Sequence, residues 1–307
     1  MAKILVTGGM GFVGSHIVDA LIENHEVVVI GRNTLARHHH THENAIYEWL
    51  DIRGKELLPV FQRHEPDYVI HLAAQVDVAE SVNYPSMDAD LNVNGTINVL
   101  EACRLTGVKK ILFASTAAVY GQPQYLGIDE NHPISPMAPY GLSKYVAERY
   151  IALYHKLYDL PYTILRLANV YGPRQTVKSD GAVVSTLIDL YLRGKAPTIH
   201  GTGQQTRDFI YVADVVSIFE RCLTRGDGEV FNVGKGHQTT INELVNLLNG
   251  TFEIHTEPLY TPPRLGDIDH SYFDISKLMT VLDWQPEYSL EDGLVDTVHY
   301  YRRSLRM

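Results

Sequence analysis

The chain has 307 residues, of which 45% are hydrophobic and 20% charged, and its formal net charge is −10. This composition is typical of a globular protein with one large α/β unit or two modest lobes, and the negative charge argues against a nucleic-acid-binding protein. Only two cysteines occur, Cys103 and Cys222, so disulfide bonds do not stabilise the fold and we expect a reducing, cytoplasmic compartment. No signal peptide is recognisable, and no segment approaches the roughly 20 apolar residues of a membrane span.

The first predicted unit is a strand, a glycine-rich turn and a helix. Residues 3–6 are apolar and run into the turn, after which apolar residues recur at helical spacing over 17–22. Gly8 and Gly11 permit a tight turn and let the backbone approach a pyrophosphate, and Gly14 lets the helix lie close to the strand. The helix N-terminus then faces the phosphates. The unit therefore predicts a dinucleotide site, and its loop residues are Gly8, Gly11, Phe12, Val13 and Gly14.

The second predicted strand covers residues 27–30 and is followed by Gly31, Arg32 and Asn33. In an NAD-binding protein an acidic residue stands here for the ribose hydroxyls. An arginine at this position can equally accept the 2′-phosphate of NADP, so both cofactors stay open. The histidine-rich residues 37–42 have no cysteine or carboxylate at ligand spacing, so we predict a solvated loop and no metal site.

The predicted elements that follow are strands at 49–52, 68–74 and 111–114 and a helix at 91–103. Strands that alternate with helices at this spacing predict a doubly wound parallel sheet, in which ligands bind beyond the carboxyl ends of the strands. Gly8, Asp51, Ala73 and Thr116 all fall at those ends, and Asp51 is predicted to hydrogen-bond an adenine amine. This convergence predicts one site at one edge of the sheet.

Tyr140 and Lys144 lie one turn apart on one face of a predicted helix over 139–157. Pro139 suits the first helical turn, where its missing N–H costs nothing. An ammonium close to a phenol favours the phenolate, so Tyr140 can exchange a proton with a hydroxyl at neutral pH. The pair therefore predicts an acid–base site.

Beyond a sixth strand at 160–167 the alternation of strands and helices loosens. The later predicted elements are helices at 183–192, 214–223, 241–248 and 290–300, strands at 198–200 and 230–234, and loops at 201–211 and 262–267. Thr240 is the predicted N-cap of the helix at 241–248, with Asn242 as an alternative just inside it. The expected fold is α/β, a Rossmann-type doubly wound parallel sheet with a smaller, interleaved C-terminal lobe.

Six motifs together resemble a known family. The glycine pattern from Gly8 to Gly14, residues 115–121 and Tyr140-x-x-x-Lys144 resemble the extended short-chain dehydrogenase/reductases. The motifs at 169–174, 201–214 and 264–267 are similar to the NAD-dependent epimerase/dehydratase branch, and within it to the UDP-glucose 4-epimerases. The resemblance covers nearly the whole chain. It implies a dinucleotide-binding domain at 1–169 and 207–236 and a nucleotide-sugar-binding lobe at 170–206 and 237–307.

The resemblance also implies NAD as cofactor, a UDP-sugar as substrate and a role for each matching residue. Tyr140 is the acid–base group, Lys144 lowers its pKa and holds the nicotinamide ribose, and Thr116 hydrogen-bonds the sugar hydroxyl under attack. The implied cofactor contacts are Gly8, Gly11, Phe12, Val13, Gly14, Arg32, Asn33, Asp51, Ile52, Leu72, Ala73, Ala74, Gln75, Asn92, Tyr140 and Lys144. The implied substrate contacts are Thr116, Asn169, Arg207, Arg264, Asp267 and Ser271.

The two arginines have a chemical reason to hold a diphosphate. Each guanidinium offers a planar fork to phosphate oxygens and does not lose its charge, so Arg207 and Arg264 are expected to grip it together with Asn169. Asp267 either binds the uridine ribose or orients the arginine. Ser271 occupies a position beside the sugar where the family varies in side-chain size, and a small residue leaves room for an N-acetyl group.

Residues 117 and 118 separate epimerisation from dehydration. The dehydratases of this branch carry an Asp-Glu pair after the catalytic threonine, whereas this chain has Ala117 and Ala118, which supply no acid and base to drive loss of water. The expected reaction is 4-epimerisation through a 4-keto sugar. An NADPH-dependent 4-ketoreductase of a nucleotide sugar is the alternative because of Arg32, and a non-catalytic nucleotide sensor is a third hypothesis that the intact catalytic residues oppose.

The oligomeric state follows from the helix at 139–157. It carries apolar residues on more than one face, more than contact with the sheet requires. In relatives this helix and the one at 91–104 pair across a two-fold axis, so we expect a homodimer.

Overall fold

The computed structural model describes residues 1–32, 40–176, 182–263 and 267–304. In these ranges the strands are β1 (Lys3–Thr7), β2 (Glu26–Gly31), β3 (Ile46–Trp49), β4 (Tyr68–His71), β5 (Lys110–Thr116), β6 (Tyr162–Leu167), β7 (Asn169–Tyr171), β8 (Thr198–His200), β9 (Thr206–Arg207), β10 (Phe209–Tyr211), β11 (Glu229–Val233), β12 (Thr239–Thr240) and β13 (Leu259–Thr261).

The helices cover both faces of the main sheet and most of the smaller lobe. They are α1 (Phe12–Leu21), α2 (Leu57–His64), α3 (Val78–Asn83), α4 (Pro85–Ala89), α5 (Gly95–Thr106), α6 (Pro139–Tyr158), α7 (Val183–Leu192), α8 (Val212–Cys222), α9 (Ile241–Phe252), α10 (Ser276–Leu282) and α11 (Leu290–Ser304). A π-helical turn, Asp90–Asn94, joins α4 to α5, and a 3₁₀ turn, Ala117–Val119, follows β5. No helix among the described residues is long and apolar enough to cross a membrane.

The main sheet has seven parallel strands in the order β11-β6-β5-β4-β1-β2-β3. Its central strands read as continuous apolar runs because both faces are covered. Along β1, Ile4 and Val6 pack with α1 and α8 on one face, whereas Leu5 packs with α2, α5 and α6 on the other. The predicted Rossmann-type, doubly wound fold is confirmed.

Smaller strand pairs build the second lobe. β7 pairs with β10 in parallel, β8 with β13 in parallel, and β9 with β12 antiparallel. Helices α7, α9 and α11 pack beside them. The N-cap of α9 is Thr240, as predicted: its hydroxyl accepts from the Glu243 peptide N at 3.0 Å, and the Glu243 carboxylate accepts from the Thr240 peptide N at 2.7 Å.

Several predicted element boundaries are wrong. The third strand ends at Trp49, so Asp51 lies in the turn after it, where its carboxylate accepts hydrogen bonds from Arg53. The helix predicted from residue 214 begins at Val212, and helices α2, α3 and α4 were not predicted. Short helices of this kind carry too few apolar repeats for their period to stand out.

Candidate active site

One cavity of about 740 Å³ lies at the carboxyl edge of the main sheet and extends toward the smaller lobe. It is lined by residues from the loops after β1, β4 and β5, from the start of α6 and from the second lobe. The predicted site residues that line it are Gly8, Gly11, Phe12, Val13, Gly14, Arg32, Leu72, Ala73, Ala74, Thr116, Tyr140, Lys144, Asn169, Arg207 and Ser271. The structure therefore brings the cofactor, catalytic and substrate predictions together in one space.

Some predicted site residues lie elsewhere. Asp51, Ile52, Gln75, Asn92 and Asp267 are outside the lining of this cavity. Asn33 and Arg264 lie outside the described residues. Part of the histidine-rich loop does too, and no group of three His, Cys, Asp or Glu side chains within the described ranges is arranged to hold a metal ion.

The glycine turn has the shape that a pyrophosphate needs. Gly8 has a φ of +73°, and a Cβ there would lie 2.8 Å from the Ala73 peptide N. A Cβ on Gly14 would collide with the Gly8 carbonyl oxygen, so only glycine lets α1 start this close to β1. A Cβ on Gly11, by contrast, would meet no described atom nearer than the Gly8 carbonyl oxygen at 3.3 Å. The first N–H groups of α1 therefore face accessible space, which fits a dinucleotide diphosphate.

The catalytic candidates come from two elements that a glycine brings into contact. Thr116 ends β5, and Tyr140 is the second residue of α6, after Pro139. A Cβ on Gly141 would lie 2.5 Å from the Ala118 carbonyl oxygen, so glycine allows the start of α6 to approach the turn after β5. This approach lets the hydroxyl of Thr116 hydrogen-bond the phenol of Tyr140.

The protonation of these groups differs from the sequence prediction. Burial raises the pKa of Tyr140 above its ordinary value, while the hydrogen bond from Thr116 opposes this shift and the Asp88 carboxylate adds to it. Burial lowers the pKa of Lys144 to about 7, against the opposing charges of Glu148 and Asp88. The expected lowering of the phenol pKa is not found because desolvation by burial is the largest effect on Tyr140.

A buried ion pair joins α6 to β6, and it was not predicted from the sequence. The guanidinium of Arg166 on β6 donates to Glu148 through Nη2 at 2.7 Å and through Nε at 3.1 Å. Its Nη1 donates to the Tyr120 hydroxyl at 2.8 Å, and the Ser115 hydroxyl donates to Glu148. Glu148 lies one turn after Lys144, so the only available signal was its place on the same helical face.

The substrate end of the cavity is organised around Arg207. Its Nη1 donates to the carbonyl oxygen of Ile268 at 2.6 Å, and its Nη2 is paired with Asp267 at 2.5 Å. Burial lowers the pKa of Arg207 and the Asp267 carboxylate opposes this. Asp267 was predicted either to bind the uridine ribose or to orient Arg264; in the structure its carboxylate pairs with Arg207, and Arg264 lies outside the described residues. Asn169 on β7 is the register partner of Phe209 on β10, two residues after Arg207.

A second residue missed in the sequence is Asp208. Its carboxylate is buried and accepts from the peptide N of Lys235 at 2.7 Å, of Phe273 at 3.1 Å and of Gly236 at 3.2 Å. Burial raises its pKa to about 6 despite these hydrogen bonds. Asp208 therefore joins its own segment, next to Arg207, to the segments that contain residues 235–236 and residue 273.

Comparison with known proteins gives one family. The family model for the NAD-dependent epimerase/dehydratase family matches residues 4–234. A Methanocaldococcus jannaschii protein, provisionally named a UDP-glucose 4-epimerase, is 45% identical over 305 residues, which is 99% of each chain.

Solved structures show the same similarity over the full length. A UDP-glucose 4-epimerase from Thermotoga maritima, crystallised with UDP-glucose, has a TM-score of 0.95 and 42% identity, covering 99% of both chains. A UDP-N-acetylglucosamine 4-epimerase from Methanobrevibacter ruminantium, in complex with UDP-N-acetylmuramic acid, has a TM-score of 0.94 and 34% identity, again over 99% of both chains.

Proposed function

The chain belongs to the NAD-dependent epimerase/dehydratase family, and within that family we propose that it is a nucleotide-sugar 4-epimerase of the UDP-glucose/UDP-galactose type. The observation that carries this proposal is the single cavity that holds Thr116, Tyr140 and Lys144 between the glycine turn and Arg207. Relatives of the same length that are named UDP-sugar 4-epimerases support it. The comparisons favour this function over the NADPH-dependent 4-ketoreductase.

The cofactor of this family is NAD, and the cavity fits it. The glycine turn and the N-terminus of α1 would hold the diphosphate, and Ala73 and Ala74 leave the backbone after β4 accessible. Arg32 is exposed at the rim of the cavity, where it would lie beside the adenosine ribose. When bound, NAD supplies a reversible acceptor for the hydrogen at C4 of the sugar.

The chain's own residues would move the proton and hold the sugar. Tyr140 would take the proton of the 4-hydroxyl and return it, and Thr116, which already hydrogen-bonds the phenol, would hold the same hydroxyl. The amine of Lys144 would stabilise the phenolate when it is protonated. Ala117 and Ala118 line the cavity, and these two side chains supply no acid–base pair to expel water.

The smaller lobe would hold the nucleotide diphosphate while the sugar turns. Arg207 and Asn169 both line the cavity, and Asp267 pairs with the Arg207 guanidinium. Arg264 would supply the second guanidinium. We assign residues 1–169 and 207–236 to the dinucleotide-binding domain and 170–206 and 237–307 to the nucleotide-sugar lobe, because β11 (Glu229–Val233) belongs to the main sheet.

The size of the sugar that fits would depend on Ser271. This residue lines the cavity with a small side chain, which leaves room for a 2-acetamido group. We therefore propose that UDP-GlcNAc and UDP-GalNAc are accepted beside UDP-glucose and UDP-galactose, and the role of the latter pair would place the enzyme in galactose metabolism.

We also propose that the protein is a cytoplasmic homodimer. Leu153, Leu157 and Tyr158 of α6 are exposed, as is Leu105 of α5, which gives both helices apolar surface toward solvent. Both cysteines are free and buried, as suits a reducing compartment. Light scattering at several protein concentrations would give twice the chain mass, and a monomer at all of them would refute the dimer.

The test of the function is incubation of the purified protein with UDP-galactose and no added cofactor. Formation of UDP-glucose, with NAD detected on the protein by native mass spectrometry, is the expected result. Strict dependence on added NADPH would refute the proposal in favour of a ketoreductase. Tyr140→Phe should abolish turnover and retain bound NAD, so unchanged turnover in this variant would refute the catalytic assignment.

A further inference from the structure

The amine of Lys144 lies in an apolar setting with few charges around it. Lys144 is only 3% exposed, and its Nζ lies 4.1 Å from the centre of the Phe113 ring on β5. The ionisable groups that interact with it come from three packed elements: Glu148 from its own helix, His71 from β4 and Asp88 from α4. A buried ammonium requires a compensating charge from one of them.

Two of these groups are carboxylates that can provide that charge. Glu148 raises the pKa of Lys144 more than Asp88 does, but its carboxylate also makes a bidentate ion pair with Arg166. His71 is fully buried between the hydroxyls of Thr7 and Thr96, and burial lowers its pKa to about 3, so it is neutral. Asp88 is the carboxylate near Lys144 that has no ion pair of its own among the described residues; burial raises its pKa, and the charge of Lys144 opposes that shift.

Asp88 is held in place by a short hydrogen-bonded path that ends at the catalytic tyrosine. Asp88 is fully buried, and its Oδ1 accepts from Asn92 Nδ2 at 3.1 Å. The same amide nitrogen lies 3.1 Å from Ser143 Oγ, and the Ser143 hydroxyl donates to the Tyr140 carbonyl oxygen at 3.0 Å. Asn92 can reach both because it lies in the π-helical turn that follows α4.

The other carboxylate oxygen of Asp88 has no hydrogen-bond partner within the described part of the chain, although it is buried. Leaving a buried carboxylate oxygen without a partner is costly, so such an atom calls for an explanation. No ion pair within 4 Å joins Asp88 to Lys144 among the described residues, so the two groups interact through space in a medium of low dielectric constant.

We propose that Asp88 is a positioning residue for the reaction, a counter-charge that together with Glu148 keeps the buried Lys144 amine protonated so that it can stabilise the Tyr140 phenolate. This inference rests on the proposed function for its catalytic meaning, but the electrostatic coupling exists in the protein without substrate. Asn92 holds one oxygen of this carboxylate and also contacts Ser143, the residue before Lys144. Asn92 thus contributes to the site through its contacts with Asp88 and Ser143, although it does not line the cavity.

The test is a titration of Lys144 followed by NMR in protein labelled with ¹³Cε-lysine, with the resonance assigned by its loss in Lys144→Arg. In Asp88→Asn the titration midpoint of Lys144 should fall by on the order of one pH unit, since a negative charge is removed from a poorly screened site. The matched control is Asp90→Asn, two residues later, whose carboxylate is about half exposed (48%) and paired with Arg53. That variant should leave the midpoint unchanged.

A second variant guards against a folding defect. Asp88→Ser removes the charge but keeps an oxygen to accept from Asn92, and it should shift the Lys144 midpoint in the same direction. An unchanged midpoint in either variant, if folded by circular dichroism, would overturn the inference.

Turnover gives an independent readout that separates this inference from the proposed function. The alkaline limb of kcat for UDP-galactose should move to lower pH in Asp88→Asn, and this displacement should vanish in the Lys144→Arg background, where the cation does not titrate. The coupling would be refuted if Asp88→Asn did not move the alkaline limb. It would also be refuted if Asp88→Asn moved this limb equally in the wild-type and Lys144→Arg backgrounds. Failure of the wild-type protein to convert UDP-galactose would instead refute the epimerase and leave the NMR result standing.

Discussion

The buried pair of Glu148 and Arg166 allows a quantitative prediction about stability. Glu148 is 3% and Arg166 5% exposed. Glu148→Gln keeps the shape of the side chain but leaves the guanidinium without a counter-charge, and breaking a buried pair in this way costs about 3–5 kcal/mol. At roughly 2–4 °C per kcal/mol for larger domains, the melting temperature should fall by about 10 °C.

Urea unfolding at pH 7, followed by circular dichroism, would measure this change. The matched control is Asp189→Asn on α7, whose partner Arg193 is four residues later and 63% exposed. An exposed pair of this type contributes about 0.3–0.5 kcal/mol, so the control variant should change the free energy of unfolding by no more than that. A loss below about 1 kcal/mol for Glu148→Gln would refute the argument, because the interior would then tolerate an unpaired guanidinium.

Three further predictions concern other parts of the molecule. Gly141→Ala should lower kcat about tenfold or more, because its Cβ would lie 2.5 Å from the Ala118 carbonyl oxygen and displace Tyr140; its control, Gly250→Ala in the open interior of α9, should instead raise the unfolding free energy by about 0.5–1 kcal/mol. His71 has a pKa lowered from 6.5 to about 3, so the stability it contributes is present above pH 6.5 and lost as the pH falls toward 3. Urea unfolding at pH 6.5 and pH 4.5 should therefore show a loss of about 2–3 kcal/mol that is absent in His71→Gln, and an equal loss in both would contradict this. Arg207→Lys should raise KM for the nucleotide sugar about tenfold with kcat little changed, because a lysine cannot make the planar two-point contact. Steady-state kinetics would measure both constants, and a fall in kcat with KM unchanged would contradict this prediction.

The sequence was sufficient for the fold and for part of the lining of the cavity. Gly8, Thr116 and Tyr140 stand at strand ends or a helix start, and the topology of a parallel sheet brings such positions to one edge whatever the side chains between them. Arg207 was found through its motif. The local patterns could therefore be placed in space without knowing any long-range contact.

What escaped prediction depends on contacts between distant parts of the chain. Arg166 pairs with Glu148, and Asp208 binds peptide N–H groups of residues 235, 236 and 273. Nothing in the local sequence marks a charged residue inside a strand as buried, because its partner is chosen by the packing of another element. The direction of the Tyr140 pKa shift failed for the same reason, since burial cannot be read from a spacing of four residues.

The parallel pairing of β7 with β10 has a consequence for substrates of different size. Asn169 and Phe209 are register partners, so the segment that leaves the main sheet and the segment that carries Arg207 are joined by backbone hydrogen bonds. Separation of β7 from β10 would break these hydrogen bonds, so it is not expected to make room for a bulkier hexose. The room would have to come from Ser271, which also lines the cavity. Exchange of that side chain for a larger one would then narrow the range of sugars and leave the contacts to the nucleotide unchanged.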